Sequence, residues 1–323
     1  MWIDILLFIC GFVLLIKGAD LIVDGASSFA KKYGIPTLVI GLTIVAFGTS
    51  APELIVSVLA SLRGSAGVAL GNIIGSNIAN TLLILGAAAI IYPLAVKQNT
   101  VNKEIPFSLL ALLAAAFLVN DRLLEGSQAG GLTRIDGLIL ILFFVIFMYY
   151  TFGMSRNKSG LLETLHEEKI RVYHNFYAIL MILAGLLGLY FGGVWIVEGG
   201  VLFAKMLGLS EEFIGLTVIA VGTSLPELAA SGVAAYKKRV DIAVGNAIGS
   251  NIFNLLWVLG ASSIIRPLPF APFLNADLSA LFLFTVLLLF LIYSGKRNVL
   301  ERHEGAVLVF LYFSYLVFLV GRG

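Results

Sequence analysis

Charge is scarce in this sequence. Asp, Glu, Lys and Arg make up 12% of its 323 residues, where a water-soluble chain carries about 25%. The few charges nearly cancel, at a formal +2, so no basic patch is available for nucleic acid. Long polar stretches are missing as well. The longest spans only 155–174, which leaves no room for a soluble domain between apolar segments. A single cysteine, Cys10, lies in an apolar segment and excludes a disulfide framework. The three histidines, His166, His174 and His303, all fall in polar loops. That excludes the usual zinc or copper site. No Walker motif occurs and no soluble domain is there to phosphorylate, which argues against ATP-driven pumping.

What is present is apolar. Hydrophobic residues account for 59% of the chain, and the mean hydropathy is +1.01. Stretches near the ~20 residues needed to cross a bilayer recur throughout. They fall at 2–23, 37–62, 66–92, 104–120, 133–153, 175–198, 212–236, 241–266, 275–294 and 304–321. Ten spans are expected, the one at 104–120 being short. The first apolar stretch has no basic leader and runs into another span, so no signal peptide is expected.

The spans come in two related sets. "GLTVIAVGTSLPEL" at 215–228 repeats "GLTIVAFGTSAPEL" at 41–54, with 10 of 14 positions identical. "GNAIGSNIFNLLWVLG" at 245–260 repeats "GNIIGSNIANTLLILG" at 71–86, with 11 of 16 identical. Glu53 with Glu227, and Asn80 with Asn254, are both 174 residues apart. This offset holds without a gap back to Gly18 and Gly192, so the chain is an internal duplication. Five spans per half is an odd number, and the second half must cross the membrane in the opposite sense. Inverted repeats of this kind are a transporter architecture, with the binding site near the midplane where the repeats meet.

The expected fold is therefore an all-α polytopic membrane protein. Its ten transmembrane helices form two inverted five-helix repeats, with broken helices at the midplane. Residues 1–154 form the first repeat, 155–174 a loop, and 175–323 the second repeat. Basic residues orient it. With the N-terminus outside, inner segments hold 14 Lys and Arg and outer segments six, with Lys17 uncounted inside the first span. The positive-inside rule then places both termini outside and the central loop in the cytoplasm of a cell inner (plasma) membrane.

The repeated motifs carry oxygen chemistry. Pro52 lacks an amide hydrogen and crowds the preceding turn, so the carbonyl of Gly48 should lose its helical partner. Gly48 adds backbone freedom. A broken helix within a bilayer is tolerated only where its freed groups are buried in protein or line a wet cavity. Thr49 and Ser50 stand four and three residues before Glu53, on one helix face. Thr223, Ser224, Pro226 and Glu227 repeat the set. Asn72, Ser76 and Asn80 step by four along a stripe, and so do Asn246, Ser250 and Asn254. Gly71/Gly75 and Gly245/Gly249 are GxxxG steps that allow helices to approach closely. Two carboxylates among neutral oxygens suit a hard cation. Calcium takes ~6–8 oxygens at ~2.3–2.6 Å in irregular geometry, whereas magnesium keeps its waters. Sodium, close to calcium in size, fits the same oxygens with half the charge.

These paired motifs resemble the two alpha-repeats of the cation/calcium exchanger superfamily, in its prokaryotic sodium/calcium exchanger branch. The resemblance implies a secondary antiporter that exchanges sodium for calcium by alternating access, with no cofactor and no obligate protein partner beyond the lipid bilayer. It implies Glu53 and Glu227 as central calcium ligands, joined by oxygens of Thr49 and Thr223. It implies sodium ligands among Ala46, Ser50, Ser76, Ala220, Ser224 and Ser250, with Asn80 and Asn254 lining the middle of the site. It also implies that the first and sixth spans slide past a stationary core, and that more than two sodium ions move per calcium. Potassium-dependent relatives carry an aspartate at the position of Asn254, so exchange here is expected to need no potassium. The short central loop has no room for the calcium-sensing domains of regulated relatives.

Other readings stand beside these. A calcium/proton antiporter is the nearer rival, because paired glutamates also carry protons, and a cation channel is the more distant one. Single prolines, glycines, serines and asparagines in membrane helices are often only kinks and packing. Two glutamates in mirrored motifs are different, since an unpaired charge at midspan costs at least ~2.5–3.5 kcal/mol. Asp24 and Glu198 match across the repeat but lie near span ends, where an interfacial position suffices and gating is the alternative. Asp20 is matched by Val194. His166, with Glu163, Glu167 and Glu168, reads as solvated surface.

Overall fold

A computed structural model describes residues 2–121, 126, 130–155, 170–206, 220–294 and 298–322. Its helices in chain order are α1 (Trp2–Tyr33), α2 (Thr37–Thr49), α3 (Ala51–Arg63), α4 (Ala66–Ile91), α5 (Thr100–Val119) and α6 (Arg134–Ser155). Then come α7 (Asn175–Met206), α8 (Ala220–Thr223), α9 (Leu225–Tyr236), α10 (Val240–Ile265), α11 (Asn275–Ser294) and α12 (Arg302–Arg322). Among the described residues, 8 helices are long and apolar enough to cross a membrane, or 9 if the bent pair α2–α3 counts as one span. The expected span at 212–236 lies partly outside the described residues, which show only α8 and α9 of it.

Three spans run well past their apolar stretches, one of them α7, which was expected to stop at 198 and reaches Met206. The first span was expected to stop at 23, but α1 continues to Tyr33 and carries Lys31 and Lys32 in its last turn, where cations complement the helix dipole. The short span at 104–120 gains a π turn over Thr100–Glu104 and reaches 20 residues as α5. Further π turns occur at Gly41–Val45 in α2, Asn80–Ile84 in α4 and Phe253–Val258 in α10. Sequence periodicity did not foresee them. Such bulges are frequent at functional sites.

The only extended pairs among the described residues are short clips. β1 (Leu94–Ala95) pairs antiparallel with β4 (Val299–Leu300), and β2 (Gly131–Leu132) with β3 (Leu268–Pro269). Each clip joins the two halves of the chain, and β1 and β3 hold the same place in the repeat.

Burial sorts the helices into a centre and a rim. In α4 and α10, 78% of the most apolar window is buried, against 22% in α6 and 28% in α12. The rim helices turn large apolar side chains outward, among them Leu142, Tyr149 and Phe152 on α6 and Phe310, Phe313 and Val317 on α12. A lipid-facing rim needs no polar groups, whereas the buried α4 and α10 carry the repeated asparagines and serines. The core therefore places the polar motifs at its centre.

α1 and α7 pack antiparallel along a glycine seam. A Cβ on Gly18 would meet the Gly185 carbonyl and the Leu189 amide, both at 2.8 Å, and one on Gly192 would meet the Gly11 carbonyl at 2.8 Å. The glycines recur every seven residues, at 11, 18 and 25 and at 185, 192 and 199. Of the two GxxxG steps, Gly245/Gly249 does receive a neighbour. Cβ atoms there would stand 2.9 Å from the Leu38 carbonyl and 2.8 Å from Ala46 Cβ of α2. Gly71/Gly75 has no described neighbour within 4 Å. The segment that repeats 41–45 lies outside the described residues.

Candidate ion-binding site

The two broken helices position the carboxylates. Pro52 and Pro226 occupy the first turns of α3 and α9, where a missing N–H is harmless because no helical partner exists for it. The break itself falls at Ser50 (φ −83, ψ 7) and Ser224 (φ −90, ψ 5). α2 and α3 meet there at a bend of 46°. Gly48 serves close packing, since its Cβ would overlap a Leu186 methyl at 2.2 Å. Glu53 and Glu227 each lie in the first turn of the helix that follows the break. The positive end of a helix dipole favours a carboxylate at that place.

Both carboxylates are buried, Glu53 at 0% and Glu227 at 1% exposure. They act on each other electrostatically across the interface between the halves. Ser50 Oγ donates to Glu227 Oε1 at 2.9 Å, so a hydroxyl from one half serves the acid of the other. Ser76 Oγ donates to Glu53 Oε1 at 3.4 Å. Ser224 stands near Glu53 without a hydrogen bond of ordinary geometry.

Around them lies a mirrored brace. Asn72 Nδ2 donates to the Glu53 carbonyl at 3.3 Å and to Ser57 Oγ at 3.0 Å. Asn246 Nδ2 donates to the Glu227 carbonyl at 3.3 Å and to Ser231 Oγ at 2.9 Å. Thr49 Oγ1 donates to Asn246 Oδ1 at 3.0 Å, and Thr223 Oγ1 to Asn72 Oδ1 at 3.5 Å. Every one of these contacts has its counterpart 174 residues away. The hydroxyls of Thr49 and Thr223 thus bind the asparagine of the opposite half, and Thr49 also reaches the Ala46 carbonyl at 3.3 Å. That carbonyl accepts the Ser50 amide as well, at 3.0 Å.

Several buried polar atoms in this region have no hydrogen-bond partner among the described residues. They are Oε2 of Glu53, Oε2 of Glu227, Oγ of Ser224 and Ser250, Oδ1 of Asn254 and both amide atoms of Asn80. Unpaired buried groups cost about 1–3 kcal/mol each, more when charged. Only two carboxylates take part. Among the described residues no three His, Cys, Asp or Glu come together as metal ligands. The donor set is therefore two carboxylates with hydroxyl, amide and backbone oxygens, the chemistry of a hard cation.

The structure thus brings Thr49, Ser50, Glu53, Ser76, Thr223, Ser224 and Glu227 into one connected region. The side chain of Ala220 lies outside the described residues. Sequence reasoning missed Ser57 and Ser231, and also a second network. There Asn254 Nδ2 donates to Asn77 Oδ1 at 3.3 Å, Asn77 Nδ2 to the Asn251 carbonyl at 3.4 Å, and Asn251 Nδ2 to Thr81 Oγ1 at 3.0 Å. Asn77 and Asn251 are identical across the repeat inside the quoted motif, and that identity was the available signal.

Similarity to known proteins agrees with this arrangement. The model of the family described as sodium/calcium exchanger protein matches residues 3–153 and 177–321. CaxA of Alkalimonas amylolytica is 40% identical over 312 residues, covering 95% of this chain and 96% of that protein. The sodium/calcium exchanger MaX1 of Methanosarcina acetivorans is 31% identical over 347 residues, 98% of each. The solved structure of the sodium-calcium exchanger NCX_Mj soaked with sodium and strontium superimposes with a TM-score of 0.82 at 31% identity, covering 97% of both chains. With repeated motifs, buried glutamates and matches along nearly its whole length, this chain belongs to the sodium/calcium exchanger family of membrane ion antiporters.

Proposed function

We propose that this protein exchanges sodium for calcium by alternating access, electrogenically and without potassium. The observation that carries the reading is the pair of buried glutamates, each with one carboxylate oxygen lacking a hydrogen bond among the described residues, on mirrored broken helices. A dehydrated cation supplies the missing partner for both. Glu53 and Glu227 hold the calcium, with oxygens of Thr49 and Thr223. Ala46, Ser50, Ser76, Ala220, Ser224 and Ser250 supply sodium ligands, and Asn80 and Asn254 line the centre. The brace from Asn72 and Asn246 orients the two glutamates, so fewer motions have to be ordered when an ion arrives.

The proposed architecture has ten spans in two inverted repeats, 1–154 and 175–323, joined by a cytoplasmic loop at 155–174. Both termini lie outside the inner membrane. The charge distribution over the loops supports this orientation.

Proton-driven calcium exchange is the second reading, favoured by the carboxylate pair, which accepts protons as readily as cations. Purified protein in liposomes separates the two. Calcium uptake driven by an imposed sodium gradient, unchanged when potassium is removed, is the expected result. Uptake driven by a pH gradient in the absence of sodium overturns it in favour of the proton reading.

A further inference from the structure

The duplication carries more than the ion-binding motifs. Asp24 on α1 corresponds to Glu198 on α7, and Arg63 at the end of α3 corresponds to Lys237 at the end of α9, again 174 residues apart. Each half therefore supplies one matched acid on its long first helix and one matched base at the end of its broken helix. Inversion sets the acid of one half against the base of the other, on opposite faces of the membrane.

Only one of these pairs is closed. Lys237 Nζ lies 2.8 Å from Asp24 Oδ1 and 3.1 Å from Asp20 Oδ1, and it donates to the Asp20 carbonyl at 3.3 Å. Asp20 is also within 4.0 Å of Lys17. The Lys237 side chain is 24% exposed. A polar cavity of about 330 Å³, lined by Asp24, Ser27, Arg171, Tyr173 and Arg239 along with Lys237, lies beside it. On the other face, Glu198 and Arg63 are both exposed, and neither makes an ion pair among the described residues. At that end of α3, Arg266 donates to the Leu62 carbonyl at 3.3 Å and its guanidinium packs on Gly64.

Packing shows the same asymmetry. α1 lies along α9, whereas α7 has no corresponding packing on α3. Both breaks face α7. A Cβ on Gly48 would meet Leu186, and one on Gly222 would meet Val197. A strict two-fold arrangement would put Phe12 of α1 opposite Gly222, since Phe12 corresponds to Leu186. The glycine seam holds α1 and α7 to each other through backbone contacts, so the two form one body. That body is displaced from the pseudo-two-fold position, towards the α9 end at one face.

We propose that Lys237, with Asp24 and Asp20, is a positioning latch that holds the α1–α7 body against the end of α9, and that Arg63 with Glu198 is its counterpart, formed only when the body has moved to close the opposite face. The inference rests on the alternating-access reading above and identifies residues that set which face is open. The closed face here is the cytoplasmic one in the proposed orientation. A static surface ion pair would have no use for a matched acid and base held apart on the other side. Two such latches make the movement nearly balanced, because the ion pair lost on one face is replaced on the other. The balance is not perfect, since Asp20 has only Val194 as its counterpart. The ion-free protein therefore rests with the Lys237 latch closed.

The test uses the full chain in liposomes with Cys10→Ala as background, so that no native thiol remains. Arg63→Cys with Glu198→Cys places a disulfide probe at the open latch. In sodium- and calcium-free buffer, adding Lys237→Ala should raise the rate of oxidative cross-linking about three- to tenfold, the range for losing two partly exposed ion pairs. The charge swap Lys237→Asp with Asp24→Lys should bring the rate most of the way back. Should Lys237→Ala fail to fold, Asp20→Asn removes one of the two carboxylates and should give a smaller increase. An unchanged rate overturns the proposal, and so does an increase that the swap fails to reverse, because lost packing rather than lost charge would then be the cause. Sodium-driven calcium flux is measured on the cysteine-free parent. Absent flux there counts against the exchange reading, while normal flux with a Lys237-independent cross-link counts against the latch alone.

Discussion

At the residue scale, the two glutamates and the two bracing asparagines have different work. Glu53→Gln or Glu227→Gln keeps shape and one oxygen but removes a charge opposed to the cation. Breaking a buried charge pair costs about 3–5 kcal/mol, and ~1.4 kcal/mol is a factor of ten. Sodium-driven calcium flux should fall at least about 100-fold in either variant, with the thermal melt still cooperative. Flux within a few-fold of the parent would remove that glutamate from the site. Asn246 is fully buried and satisfies the Glu227 carbonyl, Ser231 and Thr49 at once. Asn246→Ala should lower stability by about 1–3 kcal/mol and weaken calcium binding. Asn72→Ala should do less, because Asn72 is only half-buried. Melting temperature in detergent together with calcium titration checks both. The sequence showed Asn72, Ser76 and Asn80 as one stripe of equivalent oxygens. It could not divide them, since a spacing of four fixes the face and not the partner. The fold turns Asn72 to a backbone carbonyl and leaves both amide atoms of Asn80 without a hydrogen bond among the described residues.

At the element scale, proline and glycine act differently from a first reading of the motif. Pro52 is compatible with the first turn of α3, and the break falls at Ser50. Gly48 lets a Leu186 methyl pack close against the helix before the break. The α1–α7 seam shows the same principle more clearly. Gly18→Ala would push a methyl onto two backbone atoms at 2.8 Å, and neither can move without shifting a helix. A loss of roughly 1–3 kcal/mol is expected. Gly153 on α6 has nothing within 4 Å of its Cβ position. Gly153→Ala should stabilise by roughly 0.5–1 kcal/mol, because alanine restricts the unfolded chain. Thermal melts of the two variants should move in opposite directions, and equal shifts would show that the seam carries no special constraint. The seven-residue glycine period was visible in the sequence. Its partner was not, because a small-residue stripe on a membrane helix fits any other close-packed helix.

At the scale of the whole molecule, the charge carried per cycle is the property that matters. Two carboxylates alone would balance one calcium or two sodium ions. The surrounding hydroxyl, amide and carbonyl oxygens add neutral places for a further sodium ion, as the proposed function requires. One net charge per cycle is worth ~2.3 kcal/mol per 100 mV, or about fifty-fold in the attainable calcium gradient at ~1.4 kcal/mol per tenfold. In sodium-loaded liposomes under a clamped potential, an interior-positive voltage should accelerate calcium uptake and an interior-negative voltage should slow it. A calcium reversal point indifferent to voltage would mean two sodium ions per cycle. Asn254 offers an amide where a carboxylate would add fixed charge, so removing potassium should leave the flux unchanged. A strict potassium requirement would contradict that assignment.

The sequence by itself determined the solvent, the class and the family. Hydropathy makes the chain a membrane protein because the cost of burying charge in lipid leaves so few charges to spare. Two motifs repeated at a constant offset point to an exchanger through their resemblance to the paired alpha-repeats of that superfamily. Tertiary structure decided what an offset of 174 cannot express. It assigned Asn72 and Asn246 to bracing, put the break at Ser50, paired α1 with α7, and closed Lys237 on Asp24 while leaving Arg63 apart from Glu198. The physical reason is symmetry. A duplication describes both halves in nearly the same terms, so it is almost neutral between the two ways of packing them. The choice is made only when the side chains of one half meet those of the other.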